Sequence, residues 1–175
     1  MIPDEEIKTT KDRLKAHGHV HDRHGPEVTE GQLNDRARYK VDPITQTKED
    51  CVWRGDNHKS AKHATQFTSE RSMTQAVKAV EGSAEYADEL RKAQAAGKDT
   101  FFVKSTSLES ALGPHYLEHV RGRTRDNSPL HPEGHRSTKL KDGTILAHYK
   151  RDPVTGDFYL NTMYPNPILA HEPNP

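Results

Sequence analysis

Hydrophobic and polar residues alternate near the end of the chain, over residues 143–167 (GTILAHYKRDPVTGDFYLNTMYPNP). Alternation with period two is typical of a half-buried β-strand. The two alternating runs are separated by DPVTG, whose Asp-Pro and Thr-Gly pairs favour a turn. The sequence therefore predicts a β-hairpin whose second strand ends at the PNP segment, because proline cannot continue a sheet ladder.

Strict alternation in the second strand places Phe158, Leu160, Thr162 and Tyr164 on one face. We expect this face to be apolar where the strand begins and to carry two hydroxyl groups where it ends. Two hydroxyls at positions i and i+2 can bind a phosphate, although Thr and Tyr are also ordinary strand formers. Both interpretations stay open at this point.

Helical spacing governs three segments before the hairpin. Residues 4–16 carry acidic residues early and basic residues late, as the helix dipole favours. A second helix is predicted after the Thr-Ser pair at 68–69, ending at Gly82, and a third between Ser83 and Gly97. The third helix should turn Tyr86 and Leu90 inward.

The remaining segments complete an α+β prediction. Residues 100–106 (TFFVKST) form the clearest internal strand, followed by a helical turn at 108–112. Residues 40–66 are expected to be a long loop with one strand near 51–54, and residues 121–141 a loop rich in Pro and Gly. We predict a single domain, 1–175, with a helical region at 1–40, helices at 67–97 and an antiparallel sheet over 100–167.

Composition narrows the class of protein. Only 31% of the residues are hydrophobic, against roughly 45–50% in average globular chains, so we expect a small core. The apolar runs are too short for a membrane anchor or an export signal. The single cysteine, Cys51, excludes an internal disulfide, so the chain can fold in a reducing cytosol.

Charge gives a mixed indication about nucleic acid. The 26 basic and 26 acidic residues balance, which argues against nucleic-acid binding, but 12 histidines add positive charge when partly protonated. Residues 115–141 contain six Lys and Arg against three acidic residues. That stretch is either a surface facing RNA or a solvated mobile loop.

Histidines are concentrated in HGHVHDRH, at positions 17, 19, 21 and 24. Such a tract suggests a metal site, yet no second set of ligands follows at zinc spacing. We therefore expect no metal and no cofactor, and favour a surface loop that contains one working histidine. The next segment begins with a capping-box pattern at residues 29–32, which predicts a helix.

Three blocks of sequence together resemble the bacterial RNase A-like toxin domains. They are GHVHDRHGPEVTEGQLNDRA, ATQFTSERSMTQAVKAV and TILAHYKRDPVTGDFYLNTMYPNP, and they extend in this order over most of the chain. Those domains lie at the C-termini of contact-dependent inhibition proteins and other polymorphic toxins. The resemblance implies a kidney-shaped, RNase A-like fold in which N-terminal helices pack on a twisted antiparallel sheet.

The resemblance also implies functional residues. His19 and His24 occupy the two histidine positions of the family pattern G-H-x-x-x-x-H; His24 matches the catalytic one, and His19 is a substrate-binding candidate and a reserve for catalysis. Arg36 matches the functional arginine, but one residue beyond the usual spacing, so Arg38 is a rival. The implied catalytic set is His24, Arg36, Thr162 and Tyr164.

These positions imply a metal-independent toxin endoribonuclease used in interbacterial competition. Attack by the 2′-hydroxyl would leave a 2′,3′-cyclic phosphate, with tRNA among the candidate substrates. We expect a monomer that is delivered to the cytoplasm of a target cell, and a cognate immunity protein that protects the producer.

Two other classes compete with this interpretation. Arg54 and the Ser-Thr-Ser at Ser105, Thr106 and Ser107 resemble elements of ADP-ribosyltransferases. Those enzymes need a glutamate pair, Glu-x-Glu, downstream of the serines, and none follows here. The third class is a non-catalytic adaptor domain, which the convergence of His, Arg, Thr and Tyr disfavours.

Overall fold

The structure is a computed structural model that describes residues 2–39 and 63–168. Its helices are α1 (Asp4–Ala16), α2 (Val20–His24), α3 (Glu30–Tyr39), α4 (Glu70–Glu81), α5 (Ala84–Ala96) and α6 (Leu108–Leu112). Its strands are β1 (His63–Phe67), β2 (Thr100–Ser107), β3 (Val120–Arg125), β4 (His135–Ser137), β5 (Thr144–Arg151) and β6 (Phe158–Asn166). A short 3-10 turn covers Tyr116–Glu118.

The predicted helices are confirmed, and the local signals that predicted them are in place. The Ser69 side chain accepts a hydrogen bond from the Ser72 amide, and the Ser72 side chain accepts one from the Ser69 amide, which closes a capping box at α4. Ser83 caps α5, and Gly97 ends it in the left-handed conformation at φ 64°.

The strands form two antiparallel sheets of three strands, so the α+β class is confirmed, although one sheet was expected. We call β2-β5-β6 the first sheet and β1-β3-β4 the second sheet. Strands β1, β3 and β4 lie where loops were predicted, and that prediction is wrong. The surface loop expected for the histidine tract is wrong as well, because its second half is helix α2, in which His21 and His24 are buried. The inward positions of β3 are Val120, Gly122 and Thr124, which give almost no hydrophobic signal. The strand predicted near residues 51–54 lies outside the described residues.

Two hydrophobic clusters support this arrangement. The main core lies between α4, α5 and one face of the first sheet, and includes Met73, Val77, Ile145 and Met163. The second cluster is small and consists of Val28, Leu33, Ala37 and Ala64, where α3 packs on β1. None of the helices that the structure describes is long and apolar enough to cross a bilayer.

The hairpin of β5 and β6 is confirmed, but the predicted face of β6 is wrong. His148 pairs with Thr162 whereas Tyr149 pairs with Leu160, so Asn161 is an extra residue in β6. This β-bulge reverses the alternation. Leu160 and Met163 consequently both lie in the main core. Phe158 and Leu160 therefore face the helices, while Thr162 and Tyr164 lie on the opposite, outer face of the sheet.

Candidate active site

The N-terminal segment docks directly on the bulge of β6. The His19 amide donates to the Asn161 carbonyl over 2.7 Å. Gly18 adopts φ +77°, and a Cβ there would lie 2.5 Å from the Asn161 carbonyl oxygen. Only glycine permits so close an approach of two backbones. The Gly-His pair in the sequence pattern thus attaches the start of α2 to the last strand.

His24 is the last residue of α2, and its side chain is buried, with 4% of its surface exposed. Its Nδ1 lies 2.7 Å from the carbonyl oxygen of Thr65. A carbonyl only accepts, so Nδ1 carries the proton and the neutral ring keeps a lone pair on Nε2. The hydrogen bond therefore fixes the tautomer that a general base needs.

Strand β1 holds this histidine in place through two buried polar side chains. The Thr65 hydroxyl donates to the Pro165 carbonyl over 2.7 Å and so joins β1 to β6. The side-chain amide of Gln66 donates to the backbone carbonyls of Gly25 and Val28, at 2.8 and 2.9 Å. The two hydrogen bonds of Gln66 fix the turn after α2, so β1 holds the backbone that directly follows the histidine.

Arg36 lies on α3, whose predicted capping box is confirmed. The Thr29 amide donates to Gln32 Oε1 at 2.9 Å, and the Gln32 amide donates to Thr29 Oγ1 at 3.1 Å. Leu33 and Ala37 face the small cluster, and Arg36 is itself buried, at 7% exposed. The side chain of the rival Arg38 is outside the described residues.

Tyr164 brings the last strand to the same place. Its ring packs on the ring of His24, with centroids 5.0 Å apart and planes 34° apart. Thr162 lies two residues earlier with no bulge between, so its side chain projects to the same face of β6. Residues from the two ends of the described chain thus meet at the edge of the first sheet.

Burial and the nearby charge of Arg36 shift the pKa values of His24 and Tyr164. Burial, followed by the charge of Arg36, holds the pKa of His24 well below its ordinary value, while the Thr65 hydrogen bond opposes the shift. Burial raises the pKa of Tyr164, and Arg36 acts in the opposite direction. The guanidinium of Arg36 therefore acts on both rings. At neutral pH His24 is unprotonated and Tyr164 keeps its proton.

Three residues that the sequence did not single out lie next to the candidate site, namely Phe102, His148 and Asn161. His148 pairs with Thr162 across the hairpin, and its Nδ1 lies 3.4 Å from the Nδ2 of Asn161. Its ring also stacks on Phe102 of β2. The period-two pattern of β5 could have predicted that His148 lies on the other face of the strand from Ala147 and Tyr149. Its position beside Thr162 could not be predicted, because it depends on the bulge in β6.

One set of residues in the described chain has the composition of a metal site. Ligand atoms of His21, Glu27 and Glu70 lie within 4.8 Å of one another. The ammonium of Lys11 already lies 2.5 Å from Glu70 and 3.8 Å from Glu27. A lysine charge thus stands where a cation would bind, which makes this set an ion-pair cluster that links α1 to α4.

The basic stretch at 115–141 forms strands, and several of its arginines have internal partners. Arg125 donates to the Ala37 carbonyl at 2.9 Å, and Arg136 pairs with Asp126 at 3.0 Å. Arg121 donates to Gln66 at 2.6 Å. Much of this charge therefore links residues within the second sheet or joins that sheet to α3, and less of it is available to a ligand.

The residues that resemble ADP-ribosyltransferase elements do not assemble a site in the part that the structure describes. Arg54 lies outside it. Ser107 caps α6 by accepting from the Ser110 amide, and the amide of Ser105 donates to Glu85 at 3.0 Å. The Ser-Thr-Ser segment thus has a structural explanation as the end of β2.

A cavity of about 390 Å³ lies on the other side of the hairpin, beside α1. Arg13 and Glu81 form an ion pair at 3.0 Å in its wall, and the Tyr149 hydroxyl donates to Glu81. None of the four candidate catalytic residues lines it. The candidate site is instead the junction of α2, α3, β1 and β6.

Comparison with known proteins gives no relative to which this geometry can be referred. No family model matches the chain, and neither the curated proteins nor the solved structures contain a significant match. The function must therefore be argued from the site itself.

Proposed function

We propose that the chain is a metal-independent endoribonuclease that cleaves RNA by internal attack of the 2′-hydroxyl. The observation that carries the proposal is the meeting of His24, Arg36 and Tyr164 at one edge of the first sheet, with Thr162 on the same face of β6. A base, a cation and two hydroxyls are the groups that this reaction needs.

The first step is proton removal from the 2′-hydroxyl. His24 suits it because the Thr65 carbonyl holds the proton on Nδ1, which leaves Nε2 as the acceptor. Its lowered pKa keeps the ring neutral at neutral pH. As the 2′-oxygen bonds to phosphorus, the proton passes to Nε2 and the bond from phosphorus to the 5′-oxygen breaks.

The negative charge that develops on the phosphorane needs compensation. The Arg36 guanidinium is cationic at every relevant pH and can donate two parallel hydrogen bonds to non-bridging oxygens. The Thr162 hydroxyl can donate a further one. The leaving 5′-oxygen needs a proton, and the Tyr164 hydroxyl and the His19 ring are the two candidate donors.

The biological part of the proposal is supported by the three sequence blocks that resemble RNase A-like toxin domains. In this proposal the α+β fold is a variant of the RNase A-like fold, the substrate is RNA in the cytoplasm of a competing cell, and a cognate immunity protein protects the producer. The absence of a disulfide framework fits activity in a reducing cytosol.

The test is incubation of the chain with total RNA in EDTA, followed by analysis of the ends, with a parallel incubation of cell extract and labelled NAD. We expect fragments with 5′-hydroxyl and 2′,3′-cyclic phosphate ends, and no label transfer from NAD. Loss of cleavage on chelation with recovery on added zinc would contradict the metal-independent mechanism. Label transfer without cleavage would favour the ADP-ribosyltransferase class.

A further inference from the structure

An exposed aromatic side chain stands on the outer face of the first sheet. Phe102 of β2 has 48% of its surface exposed. Its ring stacks on that of His148 on β5, with centroids 4.4 Å apart and planes 17° apart. We call this stacked pair the aromatic step. Single exposed hydrophobic residues are common on protein surfaces, so the step needs a further observation before it implies a ligand.

The register of the strands supplies that observation. Phe102 pairs with His148, and His148 pairs with Thr162, so the three form one row across the sheet. Their sequence neighbours Val103 and Ala147 are buried in the main core, so the row projects from the outer face. Neighbouring strands lie about 4.8 Å apart, which puts Phe102 about 10 Å from Thr162. The step thus ends at the proposed phosphate site.

Positive charge flanks the aromatic step. Lys150 is two residues after His148 on the same face of β5, and burial, then its charge, lower the pKa of His148. Lys104 is exposed as well, but it lies at the irregularity of β2 that follows Val103, and its backbone amide donates to Glu85 at 2.7 Å. A flat aromatic surface beside a cation is complementary to nucleotides, whose bases have π-faces and whose phosphates are anionic.

The His148 ring also contacts the bulge of β6. Its Nδ1 lies 3.4 Å from the side-chain nitrogen of Asn161, and burial, followed by the charge of Lys150, lowers its pKa and so favours the neutral ring. The bulge that turns Thr162 outward is therefore in contact with this ring. One irregularity in β6 links the phosphate site to the aromatic step.

We propose that Phe102 and His148 stack a nucleobase of single-stranded RNA whose backbone reaches the phosphate site at Thr162. This inference rests on the proposed ribonuclease function and names the part of its substrate that lies outside the reacting phosphate. Stacking on an aromatic side chain tolerates any base. We therefore expect the aromatic step to increase affinity for single strands with little sequence preference, and double-stranded RNA to bind less well.

The experiment measures binding separately from cleavage. Fluorescence anisotropy with a labelled single-stranded 2′-O-methyl oligonucleotide reports affinity, because the blocked 2′-oxygen cannot attack. Phe102→Leu keeps an apolar side chain but removes the π-face, and we expect a dissociation constant about 5- to 100-fold higher. Phe102→Trp should bind as tightly as the wild type. Leu117→Ala is the matched control, since Leu117 is 50% exposed elsewhere on the surface.

Cleavage of unmodified RNA separates this inference from the proposed function. If the wild type cleaves RNA and Phe102→Leu raises KM with little change in kcat, both stand. If the wild type cleaves RNA and Phe102→Leu binds normally, the aromatic step is overturned and the ribonuclease remains. If the wild type binds the oligonucleotide through Phe102 but cleaves nothing, the step stands without the ribonuclease.

The same variants test the other way in which this face could be covered. Gel filtration of the wild type and of Phe102→Leu shows whether a second copy of the chain packs on the aromatic step. A wild-type dimer that Phe102→Leu dissociates, together with unchanged oligonucleotide binding, would overturn the proposal.

Discussion

The main core and the junction around His24 are built from different kinds of buried residue. The main core is almost wholly apolar, and it joins α4 and α5 to one face of the first sheet. The junction, where α2 and α3 meet β1 and β6, has a much smaller apolar cluster of its own, the four residues of the second cluster. In addition it buries a set of polar side chains, His24, Arg36, Thr65 and Gln66.

The difference separates stability from chemistry within one fold. Burying a polar group costs free energy unless it is hydrogen-bonded. In the junction the ring of His24 and the side chains of Thr65 and Gln66 each contact a backbone carbonyl. These bonds orient groups more than they add net stability. We therefore expect substitutions in the junction to change activity first, and substitutions in the main core to change stability first.

The largest expected effect is on activity, at His24. We expect His24→Ala to reduce RNA cleavage by about 10²- to 10⁴-fold, because the general base is lost. It should also lower the free energy of unfolding by about 1–3 kcal/mol, since the Thr65 carbonyl loses its donor. Cleavage is measured well below the unfolding temperature, which circular dichroism gives.

His17→Ala is the control for that substitution, because His17 is an exposed histidine that packs on Tyr159 instead. We expect it to retain near wild-type cleavage. Full activity in His24→Ala together with an inactive His19→Ala would transfer the role of base to His19.

Substitutions in the main core should reduce stability and leave cleavage nearly unchanged. Met163 is fully buried in it, and it is the residue between Thr162 and Tyr164. We expect Met163→Ala to lower the free energy of unfolding by about 2–5 kcal/mol through the cavity it creates. Cleavage per folded molecule should change little. Urea unfolding followed by fluorescence measures the first quantity, and a cleavage loss as large as that of His24→Ala would contradict the separation.

A substitution at Thr65 tests whether the hydrogen bond between the two sheets is needed for RNA cleavage. Thr65→Val keeps the shape but removes the donor to the Pro165 carbonyl. We expect a loss of about 1–3 kcal/mol in stability and reduced cleavage, because β1 no longer holds β6 against His24. Thr74→Val is the matched control in α4, where the hydroxyl donates to the Glu70 carbonyl within the helix. It should affect stability less and leave cleavage unchanged.

The smallest expected effect is a change in the pKa of His24. Burial and then Arg36 lower it, and Arg23 contributes less. Arg36→Gln should therefore raise this pKa more than Arg23→Gln does, as an NMR titration of the His24 ring would show. Equal shifts in the two variants would contradict the closeness of Arg36 to His24.

The same lowered pKa makes the protein less stable in acid. In the unfolded chain histidine takes up a proton near pH 6.5, whereas the folded chain binds it only at lower pH. As pH falls from about 6.5 through the folded pKa, the unfolded state binds more protons, and the free energy of unfolding decreases. Above that range His24 contributes no pH dependence.

Local patterns in the sequence determined the elements whose signals lie within a few residues. Ser69, Ser83 and the pattern at residues 29–32 predicted the starts of α4, α5 and α3, and period-two alternation predicted the hairpin of β5 and β6. Helix caps and tight turns are satisfied by their own neighbours in the chain. The α+β class followed from these elements.

Only the tertiary structure decided how those elements present the site. The bulge at Asn161 turns Thr162 and Tyr164 away from the main core, and the backbone of Gly18 and His19 docks on it from the other end of the chain. Strand β3 pairs with β1 at Gly122 and Thr65, where a Cβ on Gly122 would lie 2.6 Å from the Thr65 methyl group. Such contacts join residues far apart in sequence, and their free energy depends on packing that no local pattern of side chains records.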